Sequence, residues 1–333
     1  MAKKHQTRLL SLLLLASLGI AACSDSPTEP DVGAGPERPT PAIPTPTPRP
    51  AAFAITVRYL APATPRQQQA VTAAVARWES VITRDLSDVT LNVAAATCFD
   101  TQPAINERID DLLLFVEFVE IDGPGKVLGE AGPCYVRSEN MLPIVGHLKL
   151  DAADLASMET HGTMDDVVLH EIGHVLGIGT LWQDRNLLVG SGGVDPQFIG
   201  PNAVQAYQTM GGTQSTVPVE NTGAAGTRDG HWRESVFGTE LMTGWISRGG
   251  NPMSALTIAS LQDLGYGADQ SVATAYTLTR MLASREAGSL SSDSPRIDLH
   301  GRERIRRPRF KVDHRGRVSN RMRESADGSP LPQ

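Results

Sequence analysis

The residues from Thr163 to Gly177 read TMDDVVLHEIGHVLG, and this stretch decides the fold and the chemistry that we expect of the chain. Apolar residues recur at helical spacing, two acidic residues stand in the first turn, Thr163 is placed as N-cap and Gly177 can end the helix. Positions four apart share one helix face, so His170 and His174 can bind one divalent metal ion. Glu171 stands between them, where its carboxylate can act on water at the metal.

A catalytic zinc ion usually keeps three protein ligands and one open position, so a third ligand must lie elsewhere. His161 precedes the same helix and would lie about 13 Å from His170 along its axis, which is too far. His147 lies in an alternating segment, and we interpret it as a solvent-facing strand residue. His5 falls in an N-terminal segment that is expected to be removed, and His300 and His314 fall in a charged C-terminal tail. We therefore expect His231, in the run GHWRE, to be the third ligand.

The order of several sequence blocks resembles the leishmanolysin family of metzincin zinc peptidases. An ordinary metzincin has its third histidine three residues after the glycine that follows HExxH, but this chain has Thr180 there. A histidine displaced to His231 and followed by Met242 is similar to the leishmanolysin arrangement. The resemblance runs from Val167 to Tyr266, and its later blocks are GIGTLW at 177–182, GHW at 230–232, ELM at 240–242, ALT at 255–257 and QDLGY at 262–266.

The resemblance implies a role for each matching residue. His170, His174 and His231 would bind one catalytic Zn²⁺ ion, and Glu171 would be the general base. Met242 would form the methionine turn that lies beneath the metal.

Other interpretations of these positions stay open at this point. Met242 could be an ordinary core methionine, since methionine fills irregular gaps in many cores. Met253 stands beside a proline at the start of a predicted helix and is assigned to packing. Glu234 or Asp184 could complete a two-histidine, one-carboxylate zinc site, which would change the peptidase clan but not the reaction.

The ligand set predicts a zinc-dependent endopeptidase that acts on proteins or peptides. Zinc held by neutral imidazoles lowers the pKa of its bound water to about 7. Glu171 can take the proton of that water as it attacks the peptide carbonyl, so no serine or cysteine nucleophile is required. The alternative is a lipid-anchored binding or adhesion module that has the peptidase fold but no longer cleaves.

The N-terminus predicts export and attachment to a membrane. Basic residues precede an apolar stretch from Leu9 to Ile20, which is typical of a signal peptide over residues 1–22. The run IAAC ending at Cys23 resembles a bacterial lipobox, so Cys23 is expected to carry lipid; ordinary signal cleavage is the alternative. Ser24 after the cysteine favours the outer membrane or the cell surface. Export makes binding to nucleic acid an unsupported function.

Residues 23–50 form a proline-rich tether that cannot bury a core. Such a segment could also be a propeptide with an inhibitory cysteine, but lipidated Cys23 leaves no cysteine for that purpose. The other two cysteines of the chain, Cys98 and Cys134, are expected to form a disulfide in an exported protein.

The catalytic domain is predicted over residues 51–267, with an upper subdomain at 51–177 and a loop-rich lower subdomain at 178–267. Its fold class is α+β, with a twisted mixed sheet and the metal-binding helix next to the cleft. A sheet edge within 135–150 could bind an extended substrate by strand addition. Hydrophobic patterning gives the individual elements: strands at 53–59, 89–95 and 112–119, and helices at 67–83 and 254–264.

The last segment, residues 268–333, is predicted to be a polar, disordered tail. It is rich in arginine between Arg296 and Arg323, whereas the whole chain has a formal net charge of −7. The body before the tail is therefore distinctly acidic. Binding of the tail to anionic lipid or polysaccharide surfaces is the alternative to a solvated tail.

Overall fold

The computed structural model describes residues 52–224, 226–278 and 296–321. The predicted signal peptide, the lipidation site Cys23 and the proline-rich tether lie outside these residues. Within the described ranges, no helix has both the length and the apolar character needed to cross a membrane.

The described chain is a mixture of helices and strands, which confirms the α+β class. In chain order, its α-helices are α1 Pro65–Val81, α2 Ala152–His161, α3 Met164–Val175, α4 Pro201–Thr209, α5 Glu234–Phe237 and α6 Ala255–Leu264. Its strands are β1 Ile55–Tyr59, β2 Val89–Val93, β3 Ile105–Ile109, β4 Leu112–Val119, β5 Gly129–Arg137, β6 Pro143–Asp151, β7 Leu188–Val189, β8 Gln197–Phe198, β9 Val217–Pro218, β10 Trp245–Ser247, β11 Arg296–Asp298, β12 Glu303–Ile305, β13 Phe310–Val312 and β14 Val318–Arg321. The predicted β1, β2, β4, α1 and α6 are present close to their expected limits, whereas β3 and β5 were not predicted.

The largest sheet is mixed and has the strand order β1-β4-β6-β5-β13-β14, with β12 also paired to β5. Strands β1, β4 and β6 run parallel, and β5 is antiparallel to β6. Strand β6 is thus interior, and the predicted substrate-binding edge at 135–150 is covered by β13 on the β5 side. Strands β12 and β13 therefore pair with the edge of β5 where we expected an extended substrate to bind.

Helix α3 packs against the sheet and against α1. Helix α1 begins at a capping box in which Thr64 and Gln67 satisfy each other's backbone N–H groups. Its Trp78 is fully buried, and the indole Nε1 donates a hydrogen bond to the carbonyl of Leu169 in α3 at 3.0 Å. Strand β4 is buried over nearly all its length, as expected for a strand covered on both faces. These contacts fix the position of α3 below the sheet.

A disulfide joins Cys98, in the loop after β2, to Cys134 in β5. The two cysteines are 36 residues apart. In the chain-entropy description, closing a loop of this size stabilises the fold by about 4 kcal/mol.

The prediction of a disordered tail is wrong for its described part. Residues 296–312 form β11, β12 and β13, and Leu299 and Val312 are fully buried. Strand β5 offers unpaired backbone groups at its free edge, and β12 and β13 satisfy them in parallel pairing. Arginine-rich composition predicted solvation, but the backbone pairing and the apolar residues of this segment decide its structure.

Candidate metal centre and active site

Helix α3 places His170 and His174 on the same side of the helix. The helix ends at Val175, one residue after His174. Thr163 occupies the N-cap position, but its side chain makes no capping hydrogen bond. Leu176 is the C-cap, and Gly177 follows with a φ of +111°, a conformation that glycine adopts readily. The chain therefore turns sharply after the helix, as its sequence predicts.

The structure brings His170, His174 and His231 together. The three Nε2 atoms are separated by 3.0 Å between His170 and His174 and by 3.1 Å between His231 and each of the other two. All three side chains are fully buried. A tetrahedral zinc site with zinc–nitrogen bonds of 2.0–2.1 Å separates its ligand nitrogens by about 3.3 Å, so the observed spacing suits that ion.

Each imidazole is oriented by a hydrogen bond at its other nitrogen. The acceptors are the backbone carbonyl of Leu241 for Nδ1 of His170 (2.6 Å), Ile178 for Nδ1 of His174 (2.8 Å) and Thr227 for Nδ1 of His231 (2.9 Å). A carbonyl only accepts, so Nδ1 carries the proton and the lone pair of a neutral ring is on Nε2. Burial lowers the pKa of His174 to about 4, which keeps that ring neutral. Converging lone pairs repel one another unless a cation lies between them.

A fourth side chain, Glu303 of β12, joins this cluster. Its carboxylate oxygens lie 2.7 Å from Nε2 of His174, 3.0 Å from Nε2 of His231 and 3.6 Å from Nε2 of His170. Neither oxygen makes a hydrogen bond of normal geometry, although the residue is buried. Three imidazole nitrogens and a carboxylate that converge on one point have the donor set of a cation site.

The electrostatics of the cluster also favour positive charge. Burial acts to raise the pKa of Glu303, but the surrounding histidines hold it well below the usual glutamate range. Burial acts to lower the pKa of His231, yet Glu303 beside it raises that pKa above the usual histidine value. The ionised carboxylate therefore attracts a cation to this point, whether a proton or a metal ion.

Glu171 is a buried carboxylate without a hydrogen-bond partner on either oxygen. Burial raises its pKa well above the ordinary glutamate value, and the charges of Glu303 and Glu130 add to that shift. It lies against β5, since a Cβ atom at Gly129 would approach its Oε1 to 2.8 Å. An unpaired buried carboxylate next to a cation site is a candidate proton acceptor.

Met242 lies beneath the helix that carries the motif. A Cβ atom at Gly173 would come within 2.8 Å of the Met242 sulfur, so the methionine side chain packs closely against the motif at this glycine. The backbone N–H of Trp232 donates to the carbonyl of Met242 at 2.9 Å, which ties the segment of His231 to the methionine. Met253 is buried in the core, in agreement with its assignment to packing.

One prediction about a side chain near the site is wrong, and one alternative is not supported. His147 is not solvent-facing: it is buried, its Nε2 lies 2.8 Å from Oε1 of Glu117, and its ring stacks on Phe99. The loop carrying Phe99 covers that strand face, which alternation alone does not reveal. Neither Glu234 nor Asp184 belongs to the cluster of three histidines and Glu303.

Sequence reasoning missed Glu303 because it lies in the arginine-rich tail. The available signal was weak and belonged to the next strand, β13, where apolar and polar residues alternate through Phe310, Lys311 and Val312. Nothing in that pattern indicates which part of the fold the strand pairs with.

Two comparisons with known proteins bear on the site. Residues 101–284 match the sequence profile of the peptidase family described as leishmanolysin, and this span exceeds half of the 333-residue chain. A leishmanolysin homolog of Crithidia fasciculata is 33% identical over 165 residues, which are 47% of this chain and 24% of that protein. The chain thus covers about a quarter of the length of this relative. The matched family span includes the three histidines, Glu171 and Met242, but ends before Glu303.

Proposed function

Because the chain belongs to the leishmanolysin family of metallopeptidases, we propose that it is a zinc-dependent endopeptidase in which Glu171 is the general base. The observation that carries the proposal is the convergence of three buried Nε2 atoms, each on a ring whose Nδ1 is held by a backbone carbonyl. The family implies protein or peptide substrates.

His170, His174 and His231 would hold the zinc ion. Bound there, zinc would polarise a peptide carbonyl and make a water molecule more acidic. The backbone carbonyls at the three Nδ1 atoms keep the rings in one orientation and one tautomer, so the site needs little rearrangement to bind metal. Met242 supports the helix from below as the proposed methionine turn.

Glu171 supplies the proton transfers. Its carboxylate has no hydrogen-bonding partner that would compete for its oxygens. It is fully buried beside the three histidines, and general acid–base catalysis needs a carboxylate in such a position. It would accept a proton from the attacking water and pass it to the departing amine.

We include in the same proposal three further predictions made from the sequence. They are a metzincin layout with upper and lower subdomains, export as a lipoprotein and attachment to a membrane through Cys23. The convergence of three histidine nitrogens supports an enzyme rather than the inactive adhesion module.

A cleavage assay with metal control tests the proposal. The full-length protein is compared with its Glu303→Gln variant, which removes the carboxylate charge that lies against the three histidines. Both are incubated with casein after zinc loading, after removal of zinc by a chelator, and after zinc is restored. Casein cleavage that disappears and returns with zinc is the expected result. Failure of both proteins to cleave casein or a peptide library, with one zinc bound per chain, would contradict endopeptidase activity.

His231→Ala tests the third ligand. We expect the variant to bind zinc at least about tenfold more weakly and to lose casein cleavage, since a nitrogen ligand is removed outright. Zinc affinity is measured by competition with a chelator of known affinity. His147→Ala is the matched control, because it removes a buried histidine that lies outside the cluster. Equal zinc affinity in the two variants would remove His231 from the ligand set.

A further inference from the structure

The C-terminal segment 296–312, called the strap below, crosses the cleft from the lower part of the site to the sheet. Its first strand, β11, pairs antiparallel with β10, just after the Met242 turn. The backbone N–H of Leu299 then donates to the carbonyl of Gly244 at 3.0 Å. Farther along, β12 and β13 pair with β5. The strap therefore joins both sides of the cleft directly over the three histidines.

With the strap in this position, the groups needed for catalysis are inaccessible. His170, Glu171, His174 and His231 each have 0% of their surface exposed. A polypeptide substrate must reach these side chains, so this arrangement cannot admit one. Glu303 of the strap fills the space in front of the histidine nitrogens.

We propose that the strap is an intramolecular inhibitor, and that Glu303 occupies the fourth zinc position, which a water molecule or a substrate carbonyl must occupy during hydrolysis. This inference rests on the proposed function, because it concerns regulation of the same site. Carboxylate oxygen is an ordinary zinc ligand, and three protein ligands plus a carboxylate make a closed, structural type of site. A catalytic site must keep that position open.

Charged contacts fasten the strap on both sides of Glu303. Arg304 and Arg306 both reach Glu130 of β5, with nitrogen–oxygen distances of 2.8 Å and 2.5 Å. Arg302 donates to Asp154 at 3.1 Å. The carboxylates on the cleft side are largely buried, whereas the side chains of Arg304 and Arg306 are 52% and 53% exposed. The arginines of the tail thus pair with carboxylates of the same protein, Glu130 and Asp154.

Backbone contacts and small residues also fit the strap to the cleft. The N–H of Leu128 donates to the carbonyl of Arg302, and the N–H of Arg306 donates to the carbonyl of Ala131, each at 2.6 Å. At Gly132 a Cβ atom would overlap the carbonyl of Arg306, and at Gly230 it would approach Cδ1 of Ile305 to 2.5 Å. A larger residue at Gly132 would collide with the strap backbone, whereas at Gly230 it would press on the Ile305 side chain.

The strap lies after residue 284, where the match to the peptidase family ends. Because it belongs to the same chain, it acts at a high effective concentration, and a substrate must compete with it for the cleft. Activation would require displacement of the strap or a cut that frees Glu303. The N-terminal segment offers no cysteine for inhibition if Cys23 carries lipid.

Binding of a fluorescent peptide hydroxamate, a zinc-chelating probe, tests the inference without using activity as the readout. Zinc-loaded full-length protein, Glu303→Gln and Glu107→Gln are titrated and followed by fluorescence anisotropy. Glu303→Gln is expected to bind the probe about tenfold or more tightly than the other two, because fewer of its molecules hold the closed form. Glu107 pairs with Arg58 away from the site, so Glu107→Gln controls for loss of one carboxylate.

Equal probe affinity in all three zinc-loaded proteins would overturn the inhibitor role and leave the proposed function intact. Failure of all three proteins to bind zinc would instead overturn the proposed function, and the inference with it. Arg304→Ala combined with Arg306→Ala provides a second variant that leaves Glu303 in place. It is expected to bind the probe more tightly than the unmodified protein, and unchanged binding would count against the strap.

Limited digestion of the unmodified protein by trypsin gives a further check that needs no substitution. The probe should expel the strap, so the peptide bonds after Arg304 and Arg306 should be cut faster when the probe is bound. Fragment masses identify the cut positions. Equal cleavage rates with and without saturating probe would show that the strap does not leave the cleft, which contradicts the inference.

Discussion

Glu171→Gln is expected to lower kcat/KM for peptide hydrolysis by about 100- to 10,000-fold, the range contributed by general acid–base catalysis. Zinc should remain bound at one ion per chain, because the three histidines and their backbone acceptors are untouched. Glutamine has nearly the same shape as glutamate but cannot accept the proton. The measurement combines peptidase kinetics with metal analysis of the same preparation.

The kinetic comparison is made in the unmodified or the Glu303→Gln protein, whichever cleaves faster, so that the strap does not mask the effect. Glu107→Gln in the same background is the control and should cleave normally, since its side chain lies away from the site. A Glu171→Gln protein with full activity would remove Glu171 from the mechanism. Loss of zinc from this variant would show that Glu171 holds the metal instead.

Glu240→Ala is expected to lower the free energy of unfolding by about 3–5 kcal/mol. The fully buried carboxylate accepts hydrogen bonds from four donors: the N–H of Met242 (2.7 Å), the N–H of Ser254 (3.1 Å), the hydroxyl of Ser254 (2.7 Å) and the hydroxyl of Thr257 (2.6 Å). It therefore fastens the segment of Met242 to the start of α6. Alanine would leave these donors buried and unpaired.

Urea denaturation at constant pH measures this change in stability. Glu120→Ala is the control, because Glu120 is exposed and surface substitutions usually alter stability by less than about 0.5 kcal/mol. Glu240→Gln should fall between the two, since it keeps one accepting oxygen. A stability loss at Glu240→Ala no larger than that of the control would show that the carboxylate does not support this turn.

Local patterns allowed much of the fold and part of the site to be predicted. Strands β1 and β4 and helices α1 and α6 follow from the spacing of apolar residues over short stretches. His170, Glu171 and His174 were predicted because their geometry is set by a single helix. Strand β5 was missed, since its residues, among them glycine and proline, do not alternate in a recognisable way.

The third histidine marks the limit of local reasoning. His231 lies 57 residues beyond His174 in the sequence, and it was chosen through resemblance and by comparison with other histidines. Its environment, including the carbonyl of Thr227 that orients the ring, appears only in three dimensions. At His147 the local pattern gave the wrong environment. Alternation predicted a solvent-facing residue, but the side chain is buried and contacts Glu117.

The sequence by itself determined the metal-binding face of α3, since two histidines four residues apart on a helix must lie on the same side. With Cys23 set aside by its expected lipidation, it also indicated the cysteine pair available for a disulfide, and it determined the acidic character of the body. Only the tertiary structure decided where Glu303 lies. Pairing of a distant strand with the free edge of β5 depends on backbone groups that every residue carries, so composition could not reveal that the strap covers the metal centre.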